Sequence, residues 1–183
     1  MTGEQAPADP RPDRVLIAED DPSDAELARR RLAAAGLVFD AVVVDNRADF
    51  ADQLDAFQPD VVLSDYQMPG FSGADALRIA RERHPDLPVI IWSGVLGDEA
   101  AVDLIRQGAT DYVLKDRPAR LASAIGRAIE DRRLRQRLAA IEGQLGEAQR
   151  LASLGRLAAA RQAVRQVRQR LAAERSGASA IGP

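Results

Sequence analysis

Short apolar runs that stop abruptly at polar residues recur along the first two thirds of the chain, with stretches of helical spacing between them. Val15-Leu16-Ile17-Ala18 runs into Glu19-Asp20-Asp21. Val38–Val44 reads as a second strand, and Val61-Val62-Leu63 as a third that ends at Ser64-Asp65. Val89-Ile90-Ile91-Trp92 ends at Ser93-Gly94, and Tyr112-Val113-Leu114 ends at Lys115. Helix signals fill the gaps. Asp21 is placed to cap a helix with Pro22 at its first position, Leu27, Ala28 and Leu32 on its apolar stripe and Gly36 at its close. Asn46 caps a second helix bearing Phe50, Leu54 and Phe57, and Pro59 breaks the chain. After a turn at Met68-Pro69-Gly70, Ser72 and Asp75 form a capping-box pair ahead of Leu77 and Ile79. A fourth helix from about Asp98 carries Val102, Leu104 and Ile105 and stops at Gly108, and a long helix begins after Pro118.

Strands alternating with helices imply right-handed crossovers and a parallel sheet covered on both faces. Unbroken apolar runs, rather than apolar–polar alternation, agree with strands buried on both sides. In such sheets the ligand crevice lies beyond the carboxyl ends of the strands. Glu19, Asp20, Asp65, Ser93 and Lys115 all fall at those ends and are expected to converge on one edge.

Composition narrows the classes. With no cysteine among 183 residues there is no disulfide framework and no thiolate metal site. No apolar run is long enough for a membrane span, so a cytoplasmic protein is expected. Residues 1–13 are rich in Pro, Asp and Gly and read as a disordered leader rather than a signal peptide. The net charge of -3 hides an asymmetry: the segment from Pro118 onward holds 13 Arg and 5 acids, leaving the front strongly acidic. Lys115 is the only lysine, in a chain that otherwise uses arginine for its basic side chains.

The converging groups carry a chemistry. Clustered carboxylates repel and call for a cation or a shared proton. Oxygen donors with no His or Cys beside them favour Mg²⁺. A carboxylate can act as a nucleophile and form an aspartyl-phosphate, an ammonium can pair with phosphoryl oxygens, and a serine hydroxyl can bond an arriving phosphoryl oxygen. Taken singly, each residue has a plainer explanation: a solvated turn, a helix cap, a loop serine, a surface charge. Their common placement at strand ends is what those explanations leave unaccounted for.

Four segments together resemble the receiver domain of bacterial response regulators: Val-Leu-Ile-Ala-Glu-Asp-Asp (15–21), Leu-Ser-Asp-Tyr-Gln-Met-Pro-Gly (63–70), Ile-Ile-Trp-Ser-Gly (90–94) and Gly-Ala-Thr-Asp-Tyr-Val-Leu-Lys (108–115). The likeness covers about residues 14–129. It implies a flavodoxin-like (βα)5 fold, with Asp65 as phosphoacceptor and Asp20 as a direct Mg²⁺ ligand beside Asp65. It also implies Glu19 acting on the ion through water and the backbone carbonyl of Gln67 as a further ligand. Ser93 takes the place of the switch hydroxyl, Tyr112 that of the switch aromatic and Lys115 that of the phosphate-pairing lysine. The implied partner is a sensor histidine kinase or a histidine phosphotransfer protein. The family often has a cis proline after the lysine; here Asp116 follows, and a trans bond is expected. Trp92 reads as core or as partner-facing, and His84 as a capping or surface residue.

The back third has helical composition. Leu134, Leu138, Ile141, Leu145, Ala148 and Ala152 follow coiled-coil spacing, and a second seam runs through Leu157, Ala160, Val164, Val167 and Leu171. Leu151 and Leu154 join the two out of phase, and glycines at 143, 146 and 155 weaken the helix locally. Residues 148–159 resemble the opening of a histidine-kinase dimerisation helix without its histidine. The expected organisation is a leader (1–13), a receiver domain (14–130), a dimerising coiled coil (131–175) and a disordered tail (176–183). With no helix-turn-helix, interleaved aromatics or zinc ligands, no nucleic-acid partner is expected. The reading is a homodimeric phosphoacceptor switch without a DNA-binding output and not an enzyme in the ordinary sense. The alternative is a phosphate sink or dimeric scaffold in a phosphorelay.

Overall fold

A computed structural model describes residues 11–94 and 98–178. It contains β1 (Asp13–Ala18), α1 (Pro22–Ala34), β2 (Phe39–Val44), α2 (Arg47–Ala56), β3 (Val61–Asp65), β4 (Gln67–Met68), β5 (Phe71–Ser72), α3 (Gly73–Arg83), β6 (Val89–Ser93), α4 (Asp98–Arg106), β7 (Asp111–Leu114) and α5 (Ala119–Ala178). The five long strands pair in parallel in the order β2-β1-β3-β6-β7. The chain leaves β1 to one side for β2 and to the other for β3, so the strand order reverses at β1/β3. In an open α/β sheet that reversal opens a crevice at the strand carboxyl ends. The fold is the expected flavodoxin-like one.

Strand side chains alternate between faces, and each face builds its own core. Leu16, Val62 and Ile91 pack with Phe50, Leu54, Leu77 and Leu104 of α2, α3 and α4. Val15, Ile17, Leu63, Ile90 and Trp92 pack with Ala28 and Leu32 of α1 and with Leu121, Ile125 and Ile129 of α5. Trp92 is therefore a core residue, with no exposed surface.

The caps form as the residue types dictate. Asp21 accepts from the Ser23 N–H with Pro22 opening the helix, and Asn46 accepts from the Asp49 N–H. Ser72 and Asp75 close a reciprocal capping box. Gly36 and Gly108 have left-handed backbone just past α1 and α4, where a side chain would be strained. His84 ends α3 as its C-cap, with Nε2 3.0 Å from Asp55 Oδ1.

Two expectations, the bounds of the leader and of the tail, are corrected, and one is extended. The leader is shorter than residues 1–13: Asp13 opens β1, and both guanidinium nitrogens of Arg11 donate to the Asp60 carboxylate at 2.8–2.9 Å. Residues 1–10 lie outside the described residues. The turn expected at Met68-Pro69-Gly70 is present and forms the tip of a two-stranded hairpin, β4–β5. Finally, α5 continues to Ala178, past the tail boundary at 175, and residues 179–183 lie outside the described residues. No peptide bond among the described residues is cis, so the bond after Lys115 is trans as expected.

The chain divides into two units, Met1–Leu134 and Arg135–Pro183. In the first, α5 is tied down by Arg132, which donates to the Pro59 and Asp60 carbonyls, and by Arg133, which pairs with Asp13 at 2.7 Å. In the second, Leu138, Ile141, Leu145, Leu151, Leu154 and Leu157 are each more than half exposed. The side chains of Ala148, Ala160, Val164 and Leu171, expected on the seams, lie outside the described residues.

Candidate phosphoacceptor site

Each functional side chain reaches the crevice because its strand stops there. β1 ends at Ala18, so Glu19 and Asp20 lie just beyond its carboxyl end. β3 ends on Asp65 and β6 on Ser93, and in the parallel register Asp65 aligns with Trp92, which places Ser93 one residue beyond. β7 ends at Leu114, and the Lys115 N–H donates to the Ser93 carbonyl at 2.8 Å, fixing where the lysine leaves the sheet.

The carboxylates converge. Glu19, Asp20 and Asp65 each offer an oxygen within 4.8 Å of the other two. Glu19 is almost wholly buried, Asp20 is exposed and the Asp65 side chain is 12% exposed. Asp65 Oδ1 accepts from the Tyr66 N–H at 2.7 Å, which orients the carboxylate. An open groove of about 400 Å³ lined by Glu19, Asp20, Pro22, Asp45 and Asp49 adjoins the acids.

The single lysine compensates this charge. Lys115 Nζ lies 2.8 Å from Glu19 Oε2, 2.6 Å from Asp24 Oδ2 and 3.3 Å from Asp65 Oδ2, and 5.2 Å from the centre of the Trp92 ring. Burial works against the ammonium. Its hydrogen bonds to Asp24 and Glu19, with the charges of Glu19 and Asp65, outweigh burial and hold its pKa above the ordinary lysine value. Burial pushes the Glu19 carboxyl up, and the Asp65 charge adds to this; Lys115 and the Asp21 N–H counteract only part of it. Among the described residues, the buried Trp92 indole Nε1 has no hydrogen-bond partner, and the ring meets Lys115 through its face.

Gln67 stands two residues past Asp65 in β4, exposed and in register with Ser72. Tyr112 lies in β7 opposite Ile91 and is partly buried against the core on the α2–α3–α4 face. Asp24 is the residue the sequence reading missed. A helix starting at Pro22 puts Asp24 in its first turn, but its partner Lys115 lies 91 residues away, so nothing local marked it.

The comparisons with known proteins agree with this geometry. Residues 15–126, more than half of the chain, match the response regulator receiver domain family. The chain belongs to that family. It is 41% identical over 101 residues to the DNA-binding transcriptional regulator NtrC of Escherichia coli K12, covering 55% of this chain and 21% of that protein. It is 39% identical over 126 residues to the C4-dicarboxylate transport transcriptional regulatory protein DctD of Pseudomonas aeruginosa, covering 66% and 26%. The chain thus spans about a fifth to a quarter of the length of these curated relatives. Among solved structures, the apo receiver domain of nitrogen regulatory protein C is 35% identical with a TM-score of 0.57, covering 65% of this chain and 95% of that one. The receiver domain of a NarL response regulator from Mycobacterium tuberculosis is 28% identical with a TM-score of 0.60, covering 66% and 98%.

The chain thus contains a receiver domain of a two-component response regulator, with Glu19, Asp20, Asp65 and Lys115 gathered at its strand ends. Among the described residues, no helix is long and apolar enough to cross a membrane.

Proposed function

We propose that Asp65 accepts a phosphoryl group from a sensor histidine kinase or histidine phosphotransfer protein in a Mg²⁺-dependent reaction. The observation that carries this is the meeting of Glu19, Asp20 and Asp65 oxygens within 4.8 Å, with the Lys115 ammonium 3.3 Å from Asp65. The donor set fits the ion, since it is all oxygen and anionic, and only one ammonium stands against the three carboxylates. Asp20, Asp65 and the Gln67 carbonyl would hold it, with Glu19 acting through water. When bound, Mg²⁺ would supply charge neutralisation for the phosphoryl oxygens.

The chain's own residues do the rest. An Asp65 carboxylate oxygen forms the new O–P bond as the donor's P–N bond breaks; the donor imidazole leaves with that electron pair. Lys115 pairs with the phosphoryl oxygens as a point charge. Ser93, buried one strand over, supplies the switch hydroxyl, and Tyr112, half-buried on the neighbouring strand, responds as the switch aromatic.

The receiver domain is assigned residues 13–130, from the start of β1, and the dimerising helix residues 131–178 of α5. Residues 148–159, similar to a kinase dimerisation helix lacking its histidine, support that role. So do the exposed Leu134, Leu138, Ile141 and Leu145, which recur at coiled-coil spacing and which a lone helix leaves in water. The reading is of a homodimeric cytoplasmic switch whose dimer is made by the helix that follows the receiver domain.

The test is intact-protein mass and light-scattering mass with a small-molecule phosphodonor, with and without Mg²⁺. The expected result is one added phosphoryl group only with Mg²⁺, on a dimer that Leu138→Glu with Ile141→Glu reduces to a monomer. No phosphorylation under any Mg²⁺ condition would refute the switch and leave a scaffold.

A further inference from the structure

Three helices of this chain, α1, α2 and α3, carry an aspartate at the third position of their first turn, and those of α1 and α3 behave differently. In α3, Asp75 closes the capping box: it accepts from the Ser72 N–H at 3.2 Å and from the Ser72 hydroxyl at 2.8 Å. In α1, Asp24 occupies the equivalent place after the Asp21 cap. Its carboxylate is instead turned to Lys115, with Oδ2 2.6 Å from Nζ, and the Asp21 N–H is met by Glu19 Oε1 at 3.2 Å. The helix start thus leaves Asp24 free of its usual local work and spends it on the lysine.

The ammonium has three N–H groups and three carboxylate neighbours. Asp24 is the nearest and Asp65 the farthest, at 2.6 and 3.3 Å. A phosphoryl group on Asp65 can draw fully on Lys115 only if another partner lets go. The Glu19 side chain is 1% exposed, and stripping its counter-charge strands a buried carboxylate. The Asp24 side chain is 32% exposed and returns to water at small cost.

We propose that Asp24 is a positioning residue for Lys115, holding the ammonium aside in the unphosphorylated protein and releasing it to a phosphoryl group on Asp65. It competes with that group for the same N–H donors, so it weakens the phosphorylated state relative to the free one. This rests on Asp65 being the acceptor and Lys115 its partner.

The test is a double-mutant cycle on the full chain with beryllofluoride, a non-covalent phosphoryl mimic, in the presence of Mg²⁺, read by calorimetry. Asp24→Asn is expected to bind about fivefold tighter than wild type, the scale of a partly exposed ion pair. In a Lys115→Met background the same change is expected to make no difference. A second readout needs no Mg²⁺: the chain has one lysine, so ¹⁵N-lysine labelling gives one side-chain ammonium signal. Its exchange with water should quicken in Asp24→Asn, an effect that a purely structural role in α1 would not produce. Asp24→Ser repeats both measurements should the amide variant fold poorly. Unchanged or weaker beryllofluoride binding in Asp24→Asn would overturn the proposal. So would an equal gain without Lys115, which would mark a through-space charge effect. Failure of wild type itself to bind beryllofluoride would instead overturn the acceptor reading, and with it the role of Asp24.

Discussion

Gly73→Ala probes the wall behind the acceptor. Gly73 opens α3, and its N–H donates to the Tyr66 carbonyl at 3.0 Å. A Cβ at this position would lie 2.7 Å from the Asp65 carbonyl oxygen, 3.0 Å from Tyr66 Cα and 3.2 Å from Ile91 Cδ1. The isoleucine methyl can turn away, whereas the first two atoms belong to the backbone at the end of β3. Relaxed non-bonded contact needs about 3.5 Å, so the Asp65 peptide would have to retreat by roughly 0.8 Å. Gly73 is not among the residues with left-handed backbone, so alanine suits its conformation and the cost is steric. Overpacking of this kind costs about 1–3 kcal/mol, offset by at most about 1 kcal/mol from alanine's better helix propensity. A net loss of about 1–2 kcal/mol lowers the Tm by roughly 4–10 °C in a domain of this size. Thermal denaturation followed by circular dichroism measures it. Gly126→Ala is the control, since nothing lies within 4 Å of its added Cβ and it should match or exceed wild type. The rate of phosphorylation from a small-molecule donor should fall in Gly73→Ala as well, because the displaced peptide carries the acceptor. A Gly73→Ala protein that melts at or above wild type and phosphorylates normally would refute the packing argument.

Other perturbations follow from the same contacts. Ser72→Ala removes half of the capping box of α3 and should cost about 1 kcal/mol in urea denaturation, with an unchanged denaturant slope. The Asp60 carboxyl is buried, which taken alone would raise its pKa, but Arg11 and the Arg14 N–H hold it below the ordinary carboxylate value. A lowered folded pKa means stability that is fully present above the unfolded value and lost as pH falls through the folded one. Asp60→Asn should therefore lower stability at neutral pH and flatten its acid-side decline, measured as denaturation midpoints from pH 7 down to 3. Lys115→Met leaves the buried Glu19 without its counter-charge and should cost about 1–3 kcal/mol without Mg²⁺. Added Mg²⁺ should recover more Tm in Lys115→Met than in wild type.

The parts of the fold legible in the sequence were those written in local chemistry. Strands β1, β3, β6 and β7 are apolar runs cut off by charge or serine, and the Asp21–Pro22, Asn46 and Ser72–Asp75 caps each state where a helix starts. The site followed from topology, because a parallel sheet gathers its carboxyl ends whatever the sequence distance, as with Glu19 and Lys115, 96 residues apart. Three features had no local signature. Strands β4 and β5 have two residues each, too few for a periodicity to show. The Arg11–Asp60 pair, which orders the chain before β1, depends on a contact 49 residues away. Asp24 looked like an ordinary acid in a first helical turn until the lysine's position was known.

The most direct test of the central claim is to locate the phosphoryl group. The full chain would be treated with a small-molecule phosphodonor and Mg²⁺, then reduced with borohydride, which converts an aspartyl phosphate to homoserine, and the peptides mapped by mass. The account predicts homoserine at position 65, absent without Mg²⁺ and absent in Asp65→Asn. Modification at another carboxylate, or labelling of Asp65→Asn to normal stoichiometry, would contradict it.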